Sequence, residues 1–416
     1  MLRTASCIFG SSDAASACLS KEQPHAQMSL SNPKIRMKPT LAAFSLLLAL
    51  PSPPLLAETY HVYFGCYTNV KSGSKGIYVS RFDSASGDLG EPVLAAETGS
   101  PSFLALHPDG TKLYAVGEMA VPGQKGGGVS AFQIHQPEGK LTLINQVSSV
   151  GAGPCHISVD KTGRMAMIAN YSGGSVASYS ILENGGLSEA RSFVQHEGSS
   201  VNPKRQAGPH AHSFNVSPDN RFGFACDLGL DKVLIYRLDS AAGTIAAHGQ
   251  ATVPPGSGPR HFAFHPSGKF AFVNNEMLMT VTTFAYDAEK GTLNEVETVS
   301  TLPEADREKT GFSTAETVAH PNGRVVYVSN RTHDTIAVFS CDPATGRLKL
   351  IQNAPAEGRI PRNFNLDPTG RWMIVAHQDS NTAALFKVDA ETGKLEFTGK
   401  KVPVGGAVCV RFLPVK

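Results

Sequence analysis

Apolar and polar positions alternate along this chain in short runs, and the runs come in pairs. Six stretches share one pattern of strand, Pro/Asp/Gly turn and strand: "SPSFLALHPDGTKLYAVGE" from Ser100, "GPCHISVDKTGRMAMIANY" from Gly153, "GPHAHSFNVSPDNRFGFACDL" from Gly208, "GPRHFAFHPSGKFAFVNNE" from Gly258, "TAETVAHPNGRVVYVSNR" from Thr314 and "IPRNFNLDPTGRWMIVAHQ" from Ile360. Each is followed by a second hairpin of the same kind, such as "DKVLIYRLDSAAGTI". Period-two runs punctuated by turn residues predict strands, and a spacing of roughly 50 residues between copies is that of propeller blades.

The copy count is completed by the ends of the chain. "KGIYVSRFDSASGDL" from Lys75 is a second hairpin whose first half is divided: "VGGAVCVRFLP" matches the first strand of the repeat and "YHVYFGCYT" from Tyr60 the second. The expected fold is therefore all-β, a seven-bladed β-propeller with four strands per blade and one blade shared by the N- and C-termini. Such closure removes the exposed edges an open array would leave. A solenoid would not explain the split copy.

Radial repetition also predicts a site. The start of the first strand and the end of the second lie at the same edge of an antiparallel hairpin, so equivalent residues from all blades converge on one mouth of the central channel. Aligned on the Gly-Pro positions, the first strands contribute Ser102, Cys155, His210, Arg260, Glu316, Arg362 and Ala407, and the second strands Tyr67, Glu118, Tyr171, Leu228, Glu276, Arg331 and Gln378. His212, two residues beyond His210, is expected one layer deeper on the same face. Charges are expensive to bury unpaired, so their concentration here points to a site for an oxygen-rich, anionic ligand, with Arg260–Glu276 and Arg331–Glu316 as candidate ion pairs. His156 and His261 are expected on the opposite strand face, and His107, His265 and His320 beside turn prolines as packing residues.

Composition narrows the partners. The chain has 416 residues, 41% of them hydrophobic and 17% charged, with a formal net charge of +2 that is spread out rather than clustered. This suits a large buried core and gives no electrostatic footprint for nucleic acid. Residues 1–57 read as an N-terminal extension and signal peptide: Lys38 precedes an apolar run, then prolines and a cleavage point near Ala57, too short a run to span a bilayer comfortably. Met37 is an alternative start. The propeller would occupy 58–416, exported to the periplasm or secreted without stable membrane insertion, or cytoplasmic if that segment is not a signal. The five cysteines beyond Ala57 lack CxxC spacing, so neither a zinc site nor a disulfide framework is indicated. Asp227, Asn170, Asn275 and Asn330 precede the second ring, but on the other strand face and with amides at three of the four, which makes a catalytic metal unexpected; no cofactor motif is present.

The motifs "GPHAHS", "GSGPRHFAFHPSGKFAFVNNE", "YVSNRTHDTIAVF" and "PRNFNLDPTGRWMIVAHQDSNTAALF" are similar to those of the seven-bladed propeller lactonase family, which includes 6-phosphogluconolactonases and carboxymuconate cyclases. The resemblance runs over nearly the whole chain after Tyr60. It implies metal-independent hydrolysis of a sugar lactone, with His212 (or His210), Arg260, Glu276 and Arg331 as the catalytic set. Glu276 or His212 would be the general base, and the arginines would hold the substrate's anionic group and the oxyanion. His210, Glu316, Arg362, Glu118, Tyr171 and Gln378 would bind substrate. The substrate would be 6-phosphogluconolactone or a related unphosphorylated lactone, and for an exported member the expected ligand is an unphosphorylated sugar lactone or a uronate-like ligand; the other readings are a cyclase-like cycloisomerase and a non-catalytic propeller that binds carbohydrate or protein.

Overall fold

The computed structural model describes residues 59–120 and 126–415; the proposed leader at 37–57 lies outside them. Seven four-stranded antiparallel sheets form a ring. Their innermost strands are Phe103–Leu106, Pro154–Val159, Ala211–Val216, Pro259–Phe264, Ser313–Ala319, Pro361–Leu366 and Ala407–Pro414. The last of these pairs with Thr59–Cys66, with Tyr60 opposite Pro414 and Gly65 opposite Cys409, so the chain's two ends close one blade as expected. That blade's outer strand is broken into Asp88–Leu89 and Val93–Glu97, with Pro92, which has no N–H to give the ladder, in the gap.

Burial follows position in the blade. Second strands such as Met165–Asn170, Phe222–Asp227 and Phe270–Asn275 are buried at every residue, because both faces pack against neighbouring blades. Outermost strands such as Leu187–Gln195 alternate between covered and exposed residues. The apolar filling lies between blades: Phe224 stacks on Phe262 at 5.2 Å and meets Phe264 and Tyr286 edge-on.

Polar ties repeat around the ring in the same sense. His107, His265 and His320 each direct Nε2 to a glycine carbonyl in the next blade's turn, at 2.9 Å to Gly163, 2.7 Å to Gly323 and 2.9 Å to Gly370. Those glycines have φ near +70° and no room for a Cβ, which would meet the imidazole within 3 Å. Tyr63, Tyr114 and Tyr327 donate in the same way to Gly139, Gly185 and Gly393. Cys66, Cys155, Cys226, Cys341 and Cys409 are all buried and unpaired. Among the described residues no helix is long and apolar enough to cross a membrane.

Candidate active site

The inner strands bend where they meet the channel mouth. In six blades a bulge inserts one residue, as between Pro259, opposite Asn275, and His261, opposite Asn274. The unpaired residues are Cys155, His212, Arg260, Arg362 and Val408, together with one of Ala315 and Glu316. Bulges re-aim side chains, and here they send several of these toward the channel.

This geometry corrects the alignment of the first ring. The N–H of Glu276 donates to Gly258 O (2.7 Å) and that of Leu228 to His210 O (3.0 Å), so His210 is the counterpart of Gly258, and His212, not His210, is the counterpart of Arg260. The Gly-Pro pair of "GPHAHS" stands two residues earlier than that of "GPRHF", and aligning on it shifts the copy. His210 sits at the rim, stacked on Tyr171 at 4.7 Å with Nδ1 3.0 Å from the Tyr171 carbonyl. Glu316 likewise matches His261 rather than Arg260: each takes its N–H to a side-chain oxygen of the second strand, Ser329 Oγ and Asn274 Oδ1. Nor does Arg331 pair with Glu316.

Instead Glu276 is the hub. Its Oε2 lies 3.1 Å from Arg260 Nε and 3.0 Å from Arg331 Nη2, and its Oε1 2.8 Å from Arg205 Nη2. Burial by itself would raise its pKa, but Arg331, Arg260 and Arg205 override that and hold it down to about 2. Burial, with Arg362 and Arg331 beside it, lowers Arg260 to about 9, so it remains cationic at neutral pH. Arg205 was invisible to the repeat because it comes from the long connection between Leu187–Gln195 and Ala211–Val216. Ser200 bonded to Asp231 and Gln206 bonded to the Leu228 carbonyl anchor that connection, and Arg205 also donates to the Tyr171 hydroxyl at 3.0 Å.

A cavity of about 270 Å³ is lined by Glu118, Cys155, Tyr171, Arg205, His212, Glu276, Arg331 and Arg362, among others, and Arg260 borders a narrow recess that adjoins it at Glu118, Cys155, His212 and Arg362. On the side away from Glu276, Arg362 lies 5.4 Å over the Tyr67 ring and 3.4 Å from Gln378 Oε1, and Tyr67 donates to Glu118 at 3.0 Å. Burial pushes the Tyr67 phenol up to about 12, so it acts as a donor. His212 is buried, and burial, with Arg260 next to it, keeps its imidazole neutral with a pKa well below the usual value. Cys155 Sγ is 3.7 Å from His212 Nδ1, but burial raises its pKa and the thiol stays protonated, which makes it a poor nucleophile.

The four polar residues before the second ring serve the blades. Asp227 accepts from the N–H of His210 and of Gly229 and bonds His196 Nδ1 at 2.6 Å; Asn170, Asn275 and Asn330 donate to neighbouring strands and connections. His156 and His261, expected on the far face, turn toward the channel axis below the cavity, where their rings lie 5.5 Å apart. The bulge breaks the strict alternation on which that expectation rested.

The family described as "Lactonase, 7-bladed beta-propeller" matches residues 61–412. A 6-phosphogluconolactonase of Bacillus subtilis is 37% identical over 309 residues, 74% of this chain and 85% of that protein. One of Formosa agariphila is 34% identical over 315 residues, 74% of this chain and 86% of its own length. The periplasmic gluconolactonase of Pseudomonas aeruginosa superposes with a TM-score of 0.80 at 33% identity, covering 86% of this chain and all of that one.

Proposed function

Because the chain belongs to the seven-bladed β-propeller lactonase family, we propose that it hydrolyses a sugar lactone to the open-chain acid, without a metal, at the mouth of the channel. The observation that carries this reading is a neutral, buried imidazole, His212, sharing one cavity with guanidinium groups ordered by a single carboxylate.

Of the two candidate bases, Glu276 is the poorer, because both of its oxygens are already engaged by Arg205, Arg260 and Arg331. His212 therefore takes a proton from water as the water oxygen bonds to the lactone carbonyl carbon. Arg260 and Arg331 stabilise the oxyanion. The ring C–O bond then breaks, and His212 returns the proton to the departing ring oxygen. Glu276 keeps the arginines fixed, while Arg362, Glu118 and Tyr171 receive the substrate's hydroxyls.

An unphosphorylated lactone suits the site better than a phosphorylated one. Two of the three arginines lining the cavity, Arg205 and Arg331, already share Glu276, and the opposite wall carries an acceptor, Glu118, which would repel a phosphate. The periplasmic gluconolactonase neighbour and the apolar leader reading of 37–57 point the same way, toward export. The test is acid release, followed by pH-stat, from gluconolactone, galactonolactone and 6-phosphogluconolactone with the wild-type chain and a folded His212→Gln variant. The expected result is faster turnover of the unphosphorylated lactones and its loss in the variant. Hydrolysis by the variant at the wild-type rate would remove His212 from the mechanism, and no hydrolysis of any lactone by the wild type would refute the activity.

A further inference from the structure

Below the cavity lies a polar layer that the reaction described above does not use. The residues that follow the bulges there include His156, His261, Glu316 and Asn363, and they are buried. His261 Nδ1 is 2.8 Å from Glu316 Oε1, and its Nε2 is 3.2 Å from Arg260 Nη1. Arginine only donates, so Nε2 is the acceptor and Nδ1 carries the proton given to Glu316. Glu316 also accepts from the Thr317 N–H at 2.9 Å and from Asn363 Nδ2.

Arg260 is thereby held at three points: Nε on Glu276, and Nη1 on both His261 Nε2 and the Ala315 carbonyl. Its two Nη2 hydrogens have no acceptor among the described residues and are the ones left for a ligand. The equivalent position in other blades is filled by Phe103, Ser213 or Cys409, so closing the channel does not require a histidine or a carboxylate there. A buried acid is costly to keep for packing alone.

We propose that His261 and Glu316 are positioning residues that aim Arg260 at the lactone, and that they do so only while Glu316 is ionised. This rests on the lactonase reading. Protonation loosens the chain of bonds for a geometric reason. Asn363 cannot turn its amide to accommodate the added proton, because its Oδ1 already accepts the Val410 N–H at 2.8 Å. Oε1 already accepts both the Thr317 N–H and the His261 Nδ1–H, so the proton goes to Oε2, where it opposes the Asn363 amide that steadies the carboxyl, and the neutral acid left behind holds His261 Nδ1–H more weakly. The charged and titratable groups around the pair are Arg260, Arg362 and Arg411, with Glu276, His156, His212 and the Cys409 thiol. Burial outweighs Arg411 and Arg260 and raises Glu316 to about 7, which puts the switch near neutral pH.

The test uses the full chain, Glu316→Gln and, in case that variant does not fold, His261→Gln. Between pH 5 and 8.5, wild-type kcat/KM should fall as pH drops through about 7. Glu316→Gln should lower kcat/KM about tenfold at pH 8 and lose that acid limb, leaving only the lower-pH limb of His212. A Glu316→Gln variant that keeps both the wild-type rate and the limb near 7 overturns the proposal. An activity-independent measurement separates its failure from that of the lactonase reading: NMR of ¹⁵N-labelled histidines should find His261 protonated at Nδ1 in the wild type at pH 8, and changed in Glu316→Gln. An Nε2–H tautomer in the wild type, or His261 nitrogen shifts indifferent to residue 316, refutes it whatever the enzyme hydrolyses.

Discussion

Replacing Glu276 by glutamine removes the one negative charge that Arg205, Arg260 and Arg331 share. Held at about 2 rather than the usual 4.5, this buried carboxylate contributes about 3 kcal/mol of stability at neutral pH, at about 1.4 kcal/mol for each tenfold change in proton affinity. The sign follows from the depressed folded-state value: the contribution is complete above about pH 4.5 and is lost as pH falls toward 2. The same size of effect, about 3 to 5 kcal/mol, is expected for deleting one side of a buried ion pair. With an unfolding entropy of about 2.1 cal/mol/K per residue over roughly 350 residues, it lowers Tm by about 4 °C. Circular-dichroism melts at pH 7 would measure this. Removing Arg205 as well should restore about 1 kcal/mol, since only two guanidinium groups would then be left without a counter-charge. A Glu276→Gln variant that melts with the wild type at pH 7, or an Arg205→Ala/Glu276→Gln double variant less stable than Glu276→Gln alone, would refute the reasoning.

Under the proposed mechanism His212→Gln should lower kcat by about 10² to 10⁴ with little change in KM, measured by pH-stat. Arg205, at 43% side-chain exposure, sits at the cavity's open side, so Arg205→Ala should raise KM about tenfold and leave kcat within a factor of about three; a kcat-only effect would contradict that placement. His320→Ala orphans the Gly370 carbonyl and should cost about 1 to 3 kcal/mol, seen as a lower urea midpoint, with kcat/KM unchanged because the turn is remote from the mouth.

The repeat made most of this readable. Blade number, the shared blade and the proximity of Arg260 to Glu276 all follow from counting aligned hairpins, because a ring places equal positions at equal radius. What the alignment misplaced was local. The ring position assigned to His210 belongs to His212, and Glu316 moved down beside His261, because a bulge adds a residue without a sequence mark and because the Gly-Pro pair used for alignment is not at a fixed distance from it. His261 was assigned to the wrong side for the same reason. Arg205 could not be found by period at all, since it belongs to a connection that occurs once; its one signal was the unusual length of "HEGSSVNPKRQAG" between two hairpins.

Closure of the ring by the two chain ends has a consequence for biosynthesis. Thr59–Cys66 leaves the ribosome before the other strands of the propeller, yet its inner neighbour, Ala407–Pro414, is made only after the strands of the six other blades. Until then six blades can assemble while the seventh presents a bare edge, and the channel lacks the wall that carries Val408 and Arg411, whose guanidinium lies 4.5 Å over Phe103 of the adjoining blade. A prematurely terminated chain thus cannot seal its sheet and remains a template for strand exchange and a target for proteolysis. A working site thereby waits on synthesis of the strand that meets the first one.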